Sequence, residues 1–376
     1  MLQLLNEAVL RGEEEHKAKV KIPPASVKEN LMDRAVTQTD VIPTSEVLLT
    51  EERIFFIKER FRRRLCHNLN LVNVSAPIAV PDGTGINDDL NGVEKPVSFQ
   101  IKSAGNVRVS VVQSLAKWKR VRLKDFNIEP GKGILTDMRA IRPDETLSPI
   151  HSVYVDQWDW EKHILPEHRT LSYLKALVES IYDAIKSTEH DLCIFSQDFS
   201  VKLPEKIHFI HAEELLMLYP DLTPKQRETI IAREYGAVFI IGIGASLSNG
   251  EPHDGRAPDY DDWSSLNEDG YIGLNGDIIL WHPVMKIALE ISSMGIRVDR
   301  EALERQLRLK GCETRKSLLF HRMLLNGSLP LSAGGGIGQS RLCMFLLGKT
   351  HIGEVQSGIW SDSIQTQAES SGIQLL

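Results

Sequence analysis

The stretch V-S-F-Q-I-K-S-A-G-N-V-R-V-S-V at positions 97–111 decides the fold class. Val97, Phe99 and Ile101 alternate with polar residues, a Ser-Ala-Gly-Asn turn follows at 103–106, and Val107, Val109 and Val111 alternate again. Alternation of period two on both sides of a short Gly-Asn turn predicts an antiparallel hairpin. Working outward, short strands are expected over 134–141, 153–158, 207–210, 238–243, 277–281 and 287–293, with an extended piece at 72–74 that stops before Pro77. Ile54, Ile57, Phe61 and Leu65 share one face of a helix, and Leu171, Leu174, Leu177, Val178, Ile181 and Ile185 keep the same period. Thr223-Pro224-Lys225-Gln226 is a capping box opening a helix that ends near Gly236. Further helices are expected after Asp299 and, last, from about Gly338. Hairpins outnumber strand–helix–strand units, which predicts an α+β fold: a mainly antiparallel sheet flanked by helices.

The 376 residues carry 44 Lys and Arg against 51 Asp and Glu, a net charge of −7, so binding along a nucleic-acid backbone is not expected. Residues 1–50 contain no aromatic side chain and no sustained apolar period; they read as an extension ahead of a catalytic domain at 51–376. Cys66, Cys193, Cys312 and Cys343 are scattered with no C-x-x-C pair, which suggests neither a disulfide framework nor a zinc ribbon. The longest apolar run, 237–245, is too short to span a bilayer, and no signal peptide is legible, so a cytoplasmic protein without a membrane partner is expected.

Two phosphate-binding motifs are excluded. Gly348-Lys349-Thr350 resembles the end of a P-loop, but Cys343 stands where the first glycine is required. Gly242-Ile243-Gly244 follows a strand, yet Leu247 occupies the third glycine position of the dinucleotide fingerprint. No signature of a glutamine-hydrolysing domain is present. Three other segments stand out: the helix of 51–69 with L-V-N-V-S-A-P after it, Arg139-Ala-Ile-Arg142-Pro-Asp-Glu145 at a strand end, and Gly334-Gly-Gly-Ile-Gly338-Gln-Ser340-Arg341 leading into an apolar helix. An arginine on a rigid strand offers parallel donors to a phosphate, and clustered glycines let backbone approach a flat ligand.

In that order these segments resemble the three motifs of class II aminoacyl-tRNA synthetases. The strings D-D-L-N-G (88–92), Q-S-L-A-K-W-K-R (113–120), H-S-V-Y-V-D-Q-W-D-W-E (151–161), R-A-P-D-Y-D-D-W (256–263), G-L-N-G-D-I (273–278), E-I-S-S-M-G-I-R (290–297) and G-G-G-I-G-Q-S-R (334–341) are closer still to the ammonia-dependent, A-type asparagine synthetases. Asp89 stands where that family's usual D-N-L-S-G has asparagine. The resemblance implies a class II synthetase-like catalytic domain, a homodimer joined through the first motif, and synthesis of asparagine from aspartate and ammonia through β-aspartyl-AMP, with release of AMP and pyrophosphate.

By the same resemblance Arg142 and Gln157 handle the α-phosphate and the reacting carboxyl, and Asp88 deprotonates ammonium. Ser114, Lys119, Asp159, Asp261, Ser292 and Arg297 would hold aspartate. Arg142, Asp277, Gly336, Ser340 and Arg341 would hold ATP. Asp277 and Glu290 fall on adjacent extended segments, and two carboxylates with ATP phosphates are what Mg²⁺ prefers; Ser293 completes that set, while either Ser292 or Ser293 would serve equally as core filler. An aminoacyl-tRNA synthetase would need an anticodon-reading domain, for which residues 1–50 are too few. A non-catalytic nucleotide sensor of this fold is opposed by the intact Arg142, Gln157, Glu290 and Arg341.

Overall fold

Apolar spacing places the first helix where it is expected. In the computed structural model, which describes residues 45–88 and 94–376, α1 (Glu46–Leu69) buries Ile54, Ile57, Phe61, Leu65 and Leu69 on one face. Each such side chain contributes about 1.5–3 kcal/mol. The helix starts within the stretch expected to be an extension: Thr50 is buried and its hydroxyl donates to Glu46 O at 3.0 Å. Residues 1–44 of that extension, and 89–93 with Asp89, lie outside the described residues.

Next come β1 (Leu71–Val74), β2 (Ala79–Pro81), β3 (Ser98–Ile101), β4 (Val107–Val111), α2 (Ala116–Asp125), β5 (Gly133–Ile141) and β6 (Tyr154–His163). They are followed by α3 (Leu171–Phe195), β7 (His208–His211), α4 (Ala212–Leu218), α5 (Pro224–Tyr235), β8 (Ala237–Ile241), β9 (Asn275–His282) and β10 (Ile287–Ile296). The chain ends with α6 (Arg300–Leu309), α7 (Leu319–Leu325), β11 (Ser332–Gly338), α8 (Gln339–Leu347) and α9 (Asp362–Ser370). Caps fix several of these boundaries. Thr223 accepts from Gln226 N with Pro224 at the first position of α5, and Thr170 accepts from Tyr173 N at the start of α3.

The eight-stranded sheet runs β1-β5-β6-β11-β10-β9-β8-β7. Its inner pairings are antiparallel, whereas β1–β5 and β7–β8, at the two edges, are parallel. The sheet is therefore mixed. Parallel neighbours need a long crossover; α4 and α5 supply one between β7 and β8. The 97–111 hairpin forms as β3–β4, but with β2 it makes a separate three-stranded sheet beside the main one.

Register sorts the two faces of the main sheet. On one, Trp158, Trp160, Ile278, Met294 and Ile337 join α1, α3 and α8 in the principal core. On the other, Asp159, Gly336, Ser293 and Asp277 line up across β6, β11, β10 and β9, with Glu161, Gly334, Gly295 and Asn275 in the next row. A polar floor is thus laid across the sheet centre. Among the described residues no helix is long and apolar enough to cross a membrane, and all four cysteines are free.

Candidate active site

The G-G-G-I-G run is a central strand, not a loop. Its glycines make room sideways: a Cβ on Gly334 would fall inside the Glu161 carboxylate and within 2.5 Å of Arg297 Nη2, and one on Gly336 would meet Gln157 Oε1. Side chains from β6 and β10 therefore lie across β11, and an open cavity of about 480 Å³ sits above them. Asp88, Ser114, Arg142, Gln157, Asp159, Asp261, Asp277, Glu290, Ser293, Arg297, Gly336, Ser340 and Arg341 all line it.

Two expected residues do not. Ser292 sits on the core-facing side of β10 and donates to Gly336 O at 3.0 Å. Ser293 is the one that faces the cavity. Lys119 is fully buried beside the floor, where it donates to the Asp159 carboxylate, Trp160 O (2.9 Å) and Gly335 O (3.1 Å), so its three N–H bonds are occupied. Burial pushes Lys119 down and Asp159 up, although each attracts the other. Asp159 Oδ2 is buried with no hydrogen-bond partner and remains an available acceptor.

One end of the cavity is electrostatically closed. Arg297 donates to both oxygens of Glu161 (2.9–3.1 Å) and to Asp261 Oδ1 (2.5 Å), with its guanidinium 5.8 Å from the Tyr260 ring. Burial alone would raise Glu161, but Arg297, Lys119 and the Ser332 hydroxyl outweigh it and hold the carboxyl below its ordinary range.

The other end is different. A register shift between Glu290 and Ser292 acts as a bulge, so Glu290 and Ser293, three residues apart, both reach the cavity face where Asp277 stands. Asp277 is pushed up to about 6, first by burial and then by Glu290, against the pull of Arg256, which donates to it at 2.5 Å. Two carboxylates and a hydroxyl form an all-oxygen set that suits Mg²⁺ when phosphates complete the shell. Among the described residues no group of three or more His, Cys, Asp or Glu side chains forms a metal site by itself.

Arg142, just past β5, donates to Gln113 O at 3.3 Å while its Nε is buried without a partner. Gln157 faces the same cavity from the neighbouring strand. Arg341 donates to Glu290 O at 3.0 Å. Ser340 is committed elsewhere: its amide and hydroxyl both donate to Asp156 Oδ1 (3.1 and 2.7 Å), which Lys58 of α1 also holds through Oδ2 at 2.9 Å.

Sequence reading missed Glu161, Arg256 and Tyr260. Glu161 was accessible to it, since it continues the alternation of Gln157 and Asp159 around Trp158 and Trp160. Arg256 lies in a loop, and no periodicity links it to Asp277.

A family profile described as aspartate-ammonia ligase matches residues 48–372. An aspartate–ammonia ligase of Bacteroides thetaiotaomicron is 54% identical over 334 residues, covering 89% of this chain and 97% of the relative. Another, from Clostridium perfringens, is 50% identical over 345 residues, covering 92% and 100%. Among solved structures, the asparaginyl-tRNA synthetase of Pyrococcus horikoshii complexed with asparaginyl-adenylate aligns with a TM-score of 0.59 at 16% identity, over 86% of this chain and 75% of that one. That of Entamoeba histolytica, also with asparaginyl-adenylate, gives 0.59 at 13% identity, over 86% and 72%. These structures share the fold of the class II synthetase catalytic domain.

Proposed function

The chain belongs to the aspartate–ammonia ligase family, and from that premise we propose that its cavity makes asparagine in two steps, through β-aspartyl-AMP. Aspartate enters at the closed end. Its α-carboxylate meets Arg297 and Ser114, and its α-ammonium meets the unspent Oδ2 of Asp159, with Asp261 alongside. Lys119 acts from behind, by holding Asp159. The side-chain carboxylate is then directed toward Gln157, a neutral donor that orients it without removing its charge.

ATP lies over the open end. In the first step an oxygen of the aspartate side chain bonds to the α-phosphorus as the bond to pyrophosphate breaks. Arg142 offsets the negative charge gathered there, the kind of contribution worth about 2.7–4 kcal/mol per donor. Asp277, Glu290 and Ser293 would hold Mg²⁺, which supplies charge neutralisation to the phosphates when bound. Arg341 faces the nucleotide from the start of α8. In the second step Asp88 takes a proton from ammonium, ammonia attacks the acyl carbon, and AMP leaves with the oxygen it received.

The observation that carries this reading is Arg142, whose buried Nε has no hydrogen-bond partner and whose side chain lines one cavity with Gln157. Incubating the protein with ATP, Mg²⁺, aspartate and ammonium should yield asparagine and AMP in equal amounts. ADP in place of AMP would contradict the scheme.

The same reading includes a homodimer. Leu48 and Phe55, seven residues apart on α1, are 57% and 74% exposed, and Val72 of β1 is 58% exposed. Phe55 and Val72 belong to the first-motif segment and Leu48 lies on the same helix just ahead of it; a second copy would cover all three. Sedimentation should give twice the chain mass, and Phe55→Glu should shift it toward the monomer.

A further inference from the structure

Beside the cavity stands a buried charge chain that the scheme above does not use. Lys117, in the first turn of α2, is 2% exposed; its ammonium lies 3.9 Å from Asp88 Oδ1 and donates to Asp259 Oδ2 at 3.0 Å. Asp259 Oδ2 also accepts from His321 Nε2 of α7 at 3.0 Å and from Arg315 Nη1 at 3.3 Å. Burial pushes Asp259 up, yet Lys117, His321 and Arg315 together hold it well below the usual carboxylate range, so it stays an anion. Tyr260 presents its ring to the same space, where burial first, and then Asp88, Asp261 and Asp259, keep its hydroxyl protonated.

Two lysines on one helical turn therefore serve two different walls. Lys119 props Asp159 in the floor, and Lys117 stands behind Asp88. A cation within about 4–6 Å lowers a carboxylate's pKa by about 1–3 units. An anion behind that cation moderates it. α7 adds a mechanical tie: Phe320 N donates to Thr84 O at 3.0 Å, which fastens the helix carrying His321 to the segment leading into Asp88.

We propose that Lys117, held by Asp259, which His321 and Arg315 brace in turn, is a positioning residue for the ammonia step, orienting Asp88 and keeping it ionised so that it can receive ammonium. This rests on the role given to Asp88 above. Removing Lys117 would leave Asp88 easier to protonate. Removing the Asp259 charge would leave Lys117 less compensated and Asp88 harder to protonate. The two changes thus push in opposite directions, which a purely architectural role would not do.

The test follows enzyme-bound β-aspartyl-AMP reacting with ammonium across pH, with aspartate-dependent pyrophosphate exchange as the measure of the first step. In Lys117→Met the acid limb of the ammonium reaction should move up by about one pH unit, while exchange stays within a few-fold of wild type. Asp259→Asn should move that limb down, and the double variant should return toward wild type. Hydroxylamine, mostly neutral at neutral pH, should react with Lys117→Met at near wild-type rate. An unmoved acid limb in Lys117→Met, or equal loss of both half-reactions, would overturn the proposal. Should Asp259→Asn not fold, the Lys117→Met profile decides alone. Asp88→Asn separates the underlying reading: if it leaves the ammonium step intact, that reading fails; if it abolishes the step while Lys117→Met leaves the pH profile unmoved, only the present inference fails.

Discussion

The two ends of the cavity solve the problem of buried charge in opposite ways. At the proposed aspartate end, Arg297 is matched against Glu161 and Asp261, and Lys119 against Asp159, so the charges of the floor are paired before any ligand arrives while Asp159 Oδ2 stays open. At the other end the pairing is looser: Arg256 is divided between Asp277 and Asp261 (3.5 Å), Glu290 has Arg341 only at 3.8 Å, and burial with the nearby Glu290 leaves Asp277 pushed up to about 6. A rigid floor whose charges are already paired gives a small substrate a fixed geometry. Two neighbouring carboxylates that repel one another and are only loosely paired hold latent affinity for cations that accompany phosphate. The proposed scheme uses this difference to place aspartate at the first end and ATP at the second.

The largest way to break this contrast is to remove a charge from the satisfied end. Glu161→Gln strips Arg297 of its bidentate partner and should cost about 3–5 kcal/mol of stability, measured by denaturant unfolding. Its pH signature has a definite sign. Glu161 is depressed below its ordinary value of 4.5, so its contribution is fully present above that value and is lost as pH falls through the folded pKa. Wild type should therefore lose stability on acidification below about pH 4.5 more steeply than Glu161→Gln.

Next in size is Arg142→Ala, which should lower pyrophosphate exchange by about a hundred- to a thousandfold, or 2.7–4 kcal/mol, with little change in unfolding. Equal loss in folding would move Arg142 from the chemistry to the scaffold.

How much of this contrast was legible in the sequence depends on which residues make it. α1 and α3 were readable because their buried faces are mostly hydrophobic, and α5, which buries Arg227 and Glu228 beside Ile231 and Ala232, because a capping box opens it. α2 was not, since Lys117, Lys119 and Arg120 are among the residues it buries, and a helix that hides its charges mimics a solvated loop. β11 escaped for a related reason: a strand of glycines has no side-chain alternation to read, and its use is the space it leaves for Gln157, Glu161 and Arg297. The bulge after Glu290 decided between Ser292 and Ser293, and nothing local signals a bulge. The parallel β7–β8 pair was implicit in the helical stretch separating Ile207–Ile210 from Val238–Ile243, whereas nothing local signals the parallel β1–β5 pair. Most site residues were visible only through their resemblance to a family, because the partners that satisfy them lie far away in sequence.

A smaller effect sharpens the contrast from the other side. Glu290→Gln removes one of two like charges, so the nucleotide-free protein should gain about half a kcal/mol in thermal unfolding while the Mg²⁺ dependence of pyrophosphate exchange shifts to higher metal concentration. An acid whose loss stabilises, set against Glu161 whose loss destabilises, would show that the two ends differ in purpose as well as position. Smallest of all should be truncation. Deleting residues 2–45, ahead of α1, should leave turnover within a few-fold, consistent with a family match that begins at residue 48.

The central claim is that the aspartate side chain passes through an acyl-adenylate, and labelled oxygen tests it most directly. Aspartate carrying heavy oxygen in its β-carboxylate is turned over with ATP and ammonium, and the products are resolved by mass spectrometry. One labelled oxygen per turnover should appear in AMP and none in pyrophosphate. Label in inorganic phosphate with ADP as the nucleotide product, or AMP free of label, would contradict the account.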